Sequence, residues 1–181
     1  MKAIVTGHTS GIGKGIYDFL IKEKWDVEGF SKSTGWDIND RANIDWLANH
    51  ANDSDVDLLV NNAYHPWYQT DLLYALFGHW KDKQKTIMNI SSNAGDMIVR
   101  PTPHKYAISK AALSNACVQL QFMKTECRVV DVKFGYADTD RIAHVEGVKK
   151  LTVDEVVTKI AWILNQPDDI HINSISFKKK Q

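Results

Sequence analysis

The sequence lacks the features that mark secreted, membrane and nucleic-acid-binding proteins. It has only two cysteines, Cys117 and Cys127, and no histidines at zinc-ligand spacing, so neither a disulfide scaffold nor a metal knuckle is expected. No apolar run approaches the ~20 residues that cross a bilayer. Lys plus Arg and Asp plus Glu each number 22, and a zero net charge argues against general attraction to phosphate. We therefore expect a cytoplasmic protein with no metal site, membrane anchor or nucleic-acid partner.

What the sequence does contain is an alternation of apolar runs with helical patterns along its 181 residues, enough chain for one domain. Period and composition predict helices at 11–23, 40–51, 71–80 and 105–124, and a last one from a Thr-Val-Asp-Glu capping box at 152 to about 165. Strands are predicted at 2–6, 26–30, 57–61, 86–90, 128–134 and 172–177. This order predicts a single α/β domain over 1–181, with a parallel sheet covered on both faces.

A glycine motif, Thr6-Gly7-His8-Thr9-Ser10-Gly11-Ile12-Gly13, lies between the first strand and the first helix. Glycine allows a tight turn and a close approach of the backbone to a pyrophosphate, and the following helix N-terminus attracts its negative charge. A glycine-rich turn without a ligand is the alternative interpretation. The strand before the motif and the helix after it favour a dinucleotide-binding loop.

Three further motifs place polar side chains where a ligand site can form, although a polar strand exit or an ordinary surface pair is the alternative for each taken singly. Asp57-Leu58-Leu59-Val60-Asn61-Asn62-Ala63 places two amides at the carboxyl end of a strand, and Asn89-Ile90-Ser91-Ser92 ends the next strand. Tyr106 and Lys110, four residues apart, share one helix face. An ammonium group beside a phenol is expected to lower its pKa from ~10 towards the working range of a general acid or base. A serine hydroxyl nearby can hold the reacting oxygen.

In this order, the motifs resemble those of the short-chain dehydrogenase/reductase family along nearly the whole chain. The resemblance implies a doubly wound, Rossmann-like sheet and an NAD(P)-dependent oxidoreductase acting on a small carbonyl or alcohol substrate. It also implies a catalytic set in which Tyr106 is the acid or base and Ser92 orients the reacting oxygen. Lys110 would hold the nicotinamide ribose and lower the pKa of Tyr106.

The resemblance further implies a set of cofactor-binding residues. Gly7, Ser10, Gly11, Ile12 and Gly13 would line the pyrophosphate. Asp37 would lie beside the adenine, with Ile38 also in the cofactor site, and Asn62 and Ala63 would lie beside the adenosine ribose. Thr139 would contact the nicotinamide carboxamide.

Several departures from the family pattern predict a reduced architecture. The five residues between Ser31 and Asp37 are too few for a crossover helix, so we expect that helix to be missing and a stub of strand at 35–38. Tyr64 stands where the Asn-Asn-Ala motif usually continues with glycine. The short segment 136–151 leaves little or no room for a substrate lid. The helix after Asn-Asn-Ala must be trimmed, and the sequence offers no counterpart of the family's helical catalytic asparagine.

Two assignments stay open at this point. The spacing between the serines and Tyr106 leaves Ser91 and Asn93 as alternatives to Ser92. The end of the second strand carries one cation and two hydroxyls, Ser31, Lys32 and Ser33, which fit a 2′-phosphate better than a ribose hydroxyl; this favours NADP, with NAD possible. Lys32 as a solvated loop residue is the alternative.

The retained serine, tyrosine and lysine favour an enzyme. The reduced lid and the missing asparagine favour the alternative, a non-catalytic dinucleotide sensor or partner-binding module. Because the family commonly pairs through the tyrosine-bearing helix, we also expect a homodimer. The surface for that pairing is predicted from small and apolar residues of this helix: Ala111, Ala112, Leu113, Ala116 and Leu120.

Overall fold

The computed structural model describes residues 1–97, 102–167 and 169–180. Among these residues, one sheet contains all the strands, in the spatial order β2-β1-β3-β4-β5-β6. Every neighbouring pair is parallel, which confirms the predicted topology class. The strands are β1 (Lys2–Thr6), β2 (Asp26–Phe30), β3 (Leu58–Asn61), β4 (Thr86–Ser92), β5 (Arg128–Phe134) and β6 (Ser174–Phe177).

Helices cover both faces of the sheet and produce two apolar cores. They are α1 (Gly11–Lys22), α2 (Arg41–Asp53), α3 (Tyr68–Trp80), α4 (Lys105–Gln121) and α5 (Val153–Leu164). Ile16 of α1 and Ile160 of α5 belong to one core, and Leu47, Leu76 and Leu113 of the other three helices belong to the second. The central strands are nearly continuous apolar runs because both of their faces are buried. This is the doubly wound α/β arrangement that the sequence predicts.

The start of α5 confirms the capping box read from the sequence. The Thr152 hydroxyl accepts a hydrogen bond from the Glu155 backbone N–H at 3.1 Å, and the Glu155 carboxylate accepts one from the Thr152 N–H at 2.8 Å. These two bonds satisfy backbone donors that a helix start leaves without an intrahelical partner. The start of α5 is therefore specified locally.

The segment after β2 differs from the sequence prediction. The stub strand expected at 35–38 is wrong, because the chain instead forms one 3₁₀ turn at Lys32–Thr34 and then an irregular stretch into α2. Trp36 and Ile38 are buried in the core rather than paired with β2, and the Trp36 indole N–H donates to the Asn43 carbonyl at 3.2 Å. The helix expected to be missing between Ser31 and Asp37 is absent, α2 makes the connection from β2 to β3, and β2 forms one edge of the sheet.

The segment between β5 and α5 contains little structure above the site. One 3₁₀ turn at Asp140–Ile142 and one bridge between Ala137 and Leu151 are its only regular features. This confirms the prediction of a small lid. No helix of the described ranges has the length and apolar character needed to cross a bilayer.

The surface predicted for pairing on α4 is partly wrong. Leu113, Ala116 and Leu120 are buried in the chain's own core, at 1%, 5% and 4% exposure. They face the sheet because α4 must cover it, and they are unavailable to a partner. Ala111 and Ala112 remain partly exposed.

Candidate active site

The carboxyl ends of five parallel strands meet at one edge of the sheet, where crevices in this architecture form. Gly7 follows β1, Ser31 follows β2 and Asn62 follows β3, while Ser92 ends β4. The 3₁₀ turn at Asp140–Ile142 lies beyond the end of β5. The topology therefore gathers the sequence motifs at one place.

The glycine loop has the geometry of an anion cradle. Gly7 and Gly11 have φ values of +72° and +53°, which side-chain-bearing residues rarely adopt. A Cβ on Gly13 would lie 2.2 Å from the Gly7 carbonyl oxygen, so the loop folds tightly onto the first turn of α1. The backbone amides at the start of α1 are therefore left open to a ligand.

Asn62 lies beneath the glycine loop and helps to connect two strand ends. Its Nδ2 donates to the Thr6 carbonyl at 2.9 Å, and the Thr6 hydroxyl accepts hydrogen bonds from the backbone N–H groups of Asn62 and Ala63, both at 2.9 Å. These bonds fasten the end of β1 to the end of β3. The Asn62 side chain faces the underside of the loop, whereas Ala63 borders the cleft.

A cleft of about 510 Å³ opens beside the glycine loop. Seven predicted cofactor-binding residues line it: Gly7, Ser10, Ser31, Lys32, Asp37, Ile38 and Ala63. The sequence reasoning missed Thr9 and Trp36, used Ser33 only as a hydroxyl beside Lys32, and noted Tyr64 only as a departure; all four also line the cleft. Gly11, Ile12 and Gly13 form the first turn of α1 behind the loop. The Thr139 methyl lies 3.1 Å from the position of a Cβ on Gly11, so Thr139 borders the loop from the β5 side.

Hydroxyl groups cluster at the far end of the cleft. The Ser33 hydroxyl donates to Thr9 Oγ1 at 2.9 Å, and Ser31 Oγ lies 3.0 Å from Ser33 Oγ and 3.3 Å from Thr9 Oγ1. The Lys32 ammonium pairs with the Asp37 carboxylate at 3.1 Å while remaining 83% exposed. The Asn39 backbone N–H and Lys32 hold the pKa of Asp37 below its ordinary value.

Ser92, rather than Ser91, faces the tyrosine. Ser92 Oγ donates to the Phe134 carbonyl at 3.3 Å and accepts from the Ala94 N–H at 3.2 Å. Ser91 Oγ instead lies 3.2 Å from Ser114 Oγ, within the buried contact between β4 and α4. The alternation of a strand explains this, since adjacent side chains point to opposite faces. The geometry therefore favours Ser92 over Ser91.

Tyr106 lies in the first turn of α4, which His104 caps by accepting a hydrogen bond from the Ala107 N–H at 3.1 Å. Burial raises the pKa of the Tyr106 phenol above 10, and the Ser92 hydroxyl and the Arg141 cation oppose this rise. The expectation that Lys110 lowers this pKa is wrong here, because burial dominates and Lys110 gives two of its donors to Gln69 and Ile90.

Lys110 is buried and bonded to protein atoms. Its Nζ donates to Gln69 Oε1 at 2.8 Å and to the Ile90 carbonyl at 2.7 Å, and the residue is 4% exposed. The rings of Tyr64 and Tyr106 cover it, with centroids 5.4 and 5.7 Å from Nζ. Burial, with a smaller effect of Arg141, lowers the pKa of Lys110 from 10.5 to about 7. An ammonium has three donors, so one remains for a ligand or for Tyr106.

Gln69 is a site residue that the sequence reasoning missed. It lies in the first turn of α3 at 3% exposure, and its Nε2 donates to the carbonyls of Asn61 and Ile90. Asn61 Nδ2 in turn donates to the Gln69 carbonyl at 2.8 Å and to Asn89 Oδ1 at 2.9 Å. The chain thus supplies an amide to Lys110 where no counterpart of the family's asparagine was expected. The signal in the sequence that could have identified Gln69 was an amide side chain a few residues after the Asn-Asn-Ala motif.

Arg141 is the second missed residue. Its guanidinium carbon lies 4.3 Å from the Tyr64 ring centroid and 5.5 Å from the Tyr106 ring centroid. The two tyrosine rings contact each other edge to face at 4.9 Å. A cation therefore stands beside the proposed proton donor. Its position two residues after Thr139 was the only signal in the sequence.

No protein-family model matches the sequence, and a search of curated proteins found no match. Solved structures are nevertheless similar over almost the whole chain. A closed serine dehydrogenase complexed with NADP+ has a TM-score of 0.78 at 19% identity, covering 98% of this chain and 94% of that one. A short chain dehydrogenase from Burkholderia cenocepacia J2315 in complex with NADP has a TM-score of 0.77 at 22% identity, covering 97% and 86%.

The chain has the fold of the short-chain dehydrogenases/reductases. A 3-alpha-hydroxysteroid dehydrogenase from Pseudomonas sp. B-0831 complexed with NADH has a TM-score of 0.76 at 17% identity, covering 98% of this chain and 95% of that one. At such identities the likeness concerns the fold, while the activity depends on the side chains at the site.

Proposed function

We propose that the chain is an NAD(P)H-dependent reductase of small carbonyl compounds, with Ser92, Tyr106 and Lys110 as its catalytic set. The observation that carries this proposal is the meeting of these side chains at the carboxyl edge of the sheet, next to a cleft bordered by a glycine loop. A simple binding module has no need of a buried lysine beneath a tyrosine and a serine.

The cleft fits a dinucleotide. Gly7 and Gly13 pack so tightly that a side chain on Gly13 would clash with the Gly7 carbonyl. The compact loop lets its backbone approach a pyrophosphate, and Ser10 and Ala63 line the cleft beside it. We propose NADP as the preferred cofactor and NAD as the alternative. The hydroxyl cluster and the exposed Lys32 offer donors and positive charge for a 2′-phosphate. Two of the similar solved structures are complexes with NADP+ or NADP, and one is a complex with NADH.

A bound nicotinamide supplies the hydride, and the side chains of this chain handle the proton and the charge. The high pKa of Tyr106 keeps the phenol protonated at neutral pH, ready to donate to the carbonyl oxygen. The Ser92 hydroxyl orients that oxygen. Gln69 holds Lys110 beneath the tyrosine, where the remaining N–H is free to stabilise negative charge that develops at the phenol oxygen.

One observation favours the second candidate, a dinucleotide-binding module without turnover. Lys110 is 4% exposed beneath the Tyr64 ring, so a nicotinamide ribose reaches it only if that ring moves. The small lid also leaves water in the site, which weakens electrostatic stabilisation of hydride transfer.

Titration with NADPH and NADH, followed by a panel of small aldehydes and ketones, separates these functions. Trp36 lines the cleft, so its fluorescence reports binding, and Trp36→Phe identifies that signal among the six tryptophans. Binding of NADPH with reduction of a carbonyl supports the enzyme. Binding with no reduction across the panel supports the module, and failure to bind either cofactor contradicts both.

We also propose that residues 1–181 form one domain, that it works in the cytoplasm and that it pairs as a homodimer. All the described strands share one sheet, and both cysteines are free, buried thiols, which suits a reducing compartment. Tyr74, Ile108 and Val118 on the outer surfaces of α3 and α4 are exposed apolar residues suited to pairing. Sedimentation that finds only monomer at micromolar concentration would remove the homodimer.

A further inference from the structure

Arg141 is an exposed cation held at the reacting end of the site. Among the described residues, no carboxylate forms an ion pair with it, and it packs against the rings of Tyr64 and Tyr106. A guanidinium over an aromatic face keeps its N–H donors, which lie in its own plane, available at its edge. A planar oxyanion can then accept two parallel hydrogen bonds.

The turn that carries Arg141 is held in place. The Ile142 N–H donates to the Thr139 carbonyl at 3.0 Å, and the Lys150 ammonium donates to the Ile142 carbonyl at 3.0 Å. Thr139 itself borders the glycine loop. The guanidinium therefore sits on a short, bonded turn rather than on a free loop.

Arg141 is the charged group that acts on the reacting phenol. Arg141 opposes the rise in the pKa of Tyr106 and contributes to the low pKa of Lys110, so its field reaches both groups. Asp131, a buried carboxyl group of β5, interacts with Ser91, Ser114 and Lys133 and also with Lys110, and burial raises its pKa. It does not interact with the Tyr106 phenol. Asp138 and Asp140 flank Arg141 in the chain but do not pair with it.

On these grounds we propose that the substrate carries a carboxylate, bound by Arg141, one or two carbons from the carbonyl that is reduced. The proposal rests on the reductase function proposed above and specifies its substrate class as short oxo acids. The guanidinium carbon lies 5.5 Å from the Tyr106 ring centroid, so the two groups are close enough for one small molecule to bond to both. Arg141 does not line the cleft beside the glycine loop, which argues against a role in binding the cofactor phosphates.

The reaction balances without a further reactant. The carbonyl carbon accepts a hydride from the reduced nicotinamide, and the carbonyl oxygen takes the Tyr106 proton. The C=O π bond is replaced by C–H and O–H bonds, and the products are a hydroxy acid and the oxidised cofactor. The phenolate then regains a proton from solvent.

Matched pairs of substrates test the proposal: pyruvate against methyl pyruvate, and acetoacetate against methyl acetoacetate. We expect a higher kcat/KM for the acid of at least one pair. Arg141→Gln should lower that value roughly 10- to 100-fold, the range for loss of hydrogen bonds to a charged group. The same variant should lower the ester's kcat/KM by a clearly smaller factor than the acid's, because the ester loses only the effect of the Arg141 charge on Tyr106 and Lys110. It should change the Kd of NADPH less than about threefold. Arg141→Lys should recover part of the acid's rate, because lysine keeps the positive charge but lacks the two parallel N–H donors of the guanidinium.

Arg41→Gln, the same substitution at an exposed arginine of α2, serves as the control and should have no effect. Equal use of acid and ester, or equal loss on both in Arg141→Gln, would overturn the carboxylate site and leave the reductase proposal intact. If Arg141→Gln weakens only NADPH binding, Arg141 contacts the cofactor rather than the substrate, which would also overturn the carboxylate site.

A binding experiment decides the matter if nothing is reduced. Oxamate, a carboxylate that resembles a short oxo acid, is titrated into the protein with and without NADPH. Saturable binding that Arg141→Gln abolishes and Arg41→Gln preserves supports the carboxylate site while the turnover proposal fails. Absence of oxamate binding, together with no reduction of oxo acids, overturns the carboxylate site.

Discussion

Lys110 Nζ donates a 2.8 Å hydrogen bond to Oε1 of Gln69, a residue 41 positions earlier in the chain. A neutral amide is an acceptor that does not favour the charged form of lysine as a carboxylate would. Burial therefore dominates, and it lowers the pKa of Lys110 to about 7. The charge on this residue near neutral pH thus depends on its partner.

Gln69→Glu should raise the pKa of Lys110 by one unit or more, because a carboxylate at this distance favours the ammonium. The titration is measured by NMR of lysine Nζ, with Lys110→Met to assign the resonance. Gln119→Glu, at an exposed glutamine of α4 that bonds to Tyr74, is the matched control and should leave it unchanged. An unshifted Lys110 titration in Gln69→Glu would contradict the role given to Gln69.

The same buried lysine makes the free energy of unfolding depend on pH. Between pH 7 and 10.5 the unfolded chain binds a proton at Lys110 that the folded chain has released, so stability rises with pH in this window. Relative to Lys110→Met, the wild type should therefore gain up to roughly 1.4 kcal/mol per pH unit. The acceptors left by the substitution cost the variant a constant amount, which does not affect the slope. Urea unfolding of the wild type and Lys110→Met from pH 7 to 10 measures this slope. Equal slopes of the unfolding free energy against pH in the two proteins would contradict the lowered pKa of Lys110.

The choice of cofactor should depend on Lys32. Lys32→Glu should weaken NADPH binding and spare or improve NADH binding, because the substitution places a carboxylate where the 2′-phosphate is proposed to lie. The loss should shrink at high salt, since Lys32 is 83% exposed and its interactions are screened. Asp37→Asn, which frees Lys32 from its ion pair, should instead strengthen NADPH binding. Equal changes in the Kd of both cofactors would refute the assignment.

The pH dependence of reduction should reflect a protonated tyrosine. Because burial raises the pKa of Tyr106 above its ordinary value, the phenol should stay protonated through the neutral range, and its ionisation should not lower the rate there. Single-turnover rates with saturating NADPH from pH 6 to 10.5 measure this. A decline with a midpoint near pH 8 that persists in Gln69→Glu would show that the phenol ionises earlier than this structure implies.

Much of the fold was predictable because its determinants are local. A strand such as β1 is a short apolar run, and the cap of α5 is specified within four residues. The expected strand at 35–38 failed because a short segment with buried Trp36 and Ile38 has the same pattern whether it pairs or merely fills the core.

The site was predictable only in part, for a different reason. The four-residue spacing places Tyr106 and Lys110 on one helix face, but it does not say where the lysine's long side chain ends. Its direction depends on Gln69 and Ile90, which come from other elements. Arg141 likewise meets the tyrosine rings only through the tertiary fold.

The most direct measurement is the rate of carbonyl reduction by Tyr106→Phe, with NADPH and a substrate that the wild type reduces. The substitution removes one hydroxyl and little volume, so the fold and the Kd of NADPH should be retained. If Tyr106 donates the proton, the rate should fall by at least ~10²-fold. Tyr64→Phe, which removes a hydroxyl from the ring packed 4.9 Å away, should keep most of the activity. Full turnover by Tyr106→Phe would contradict the account.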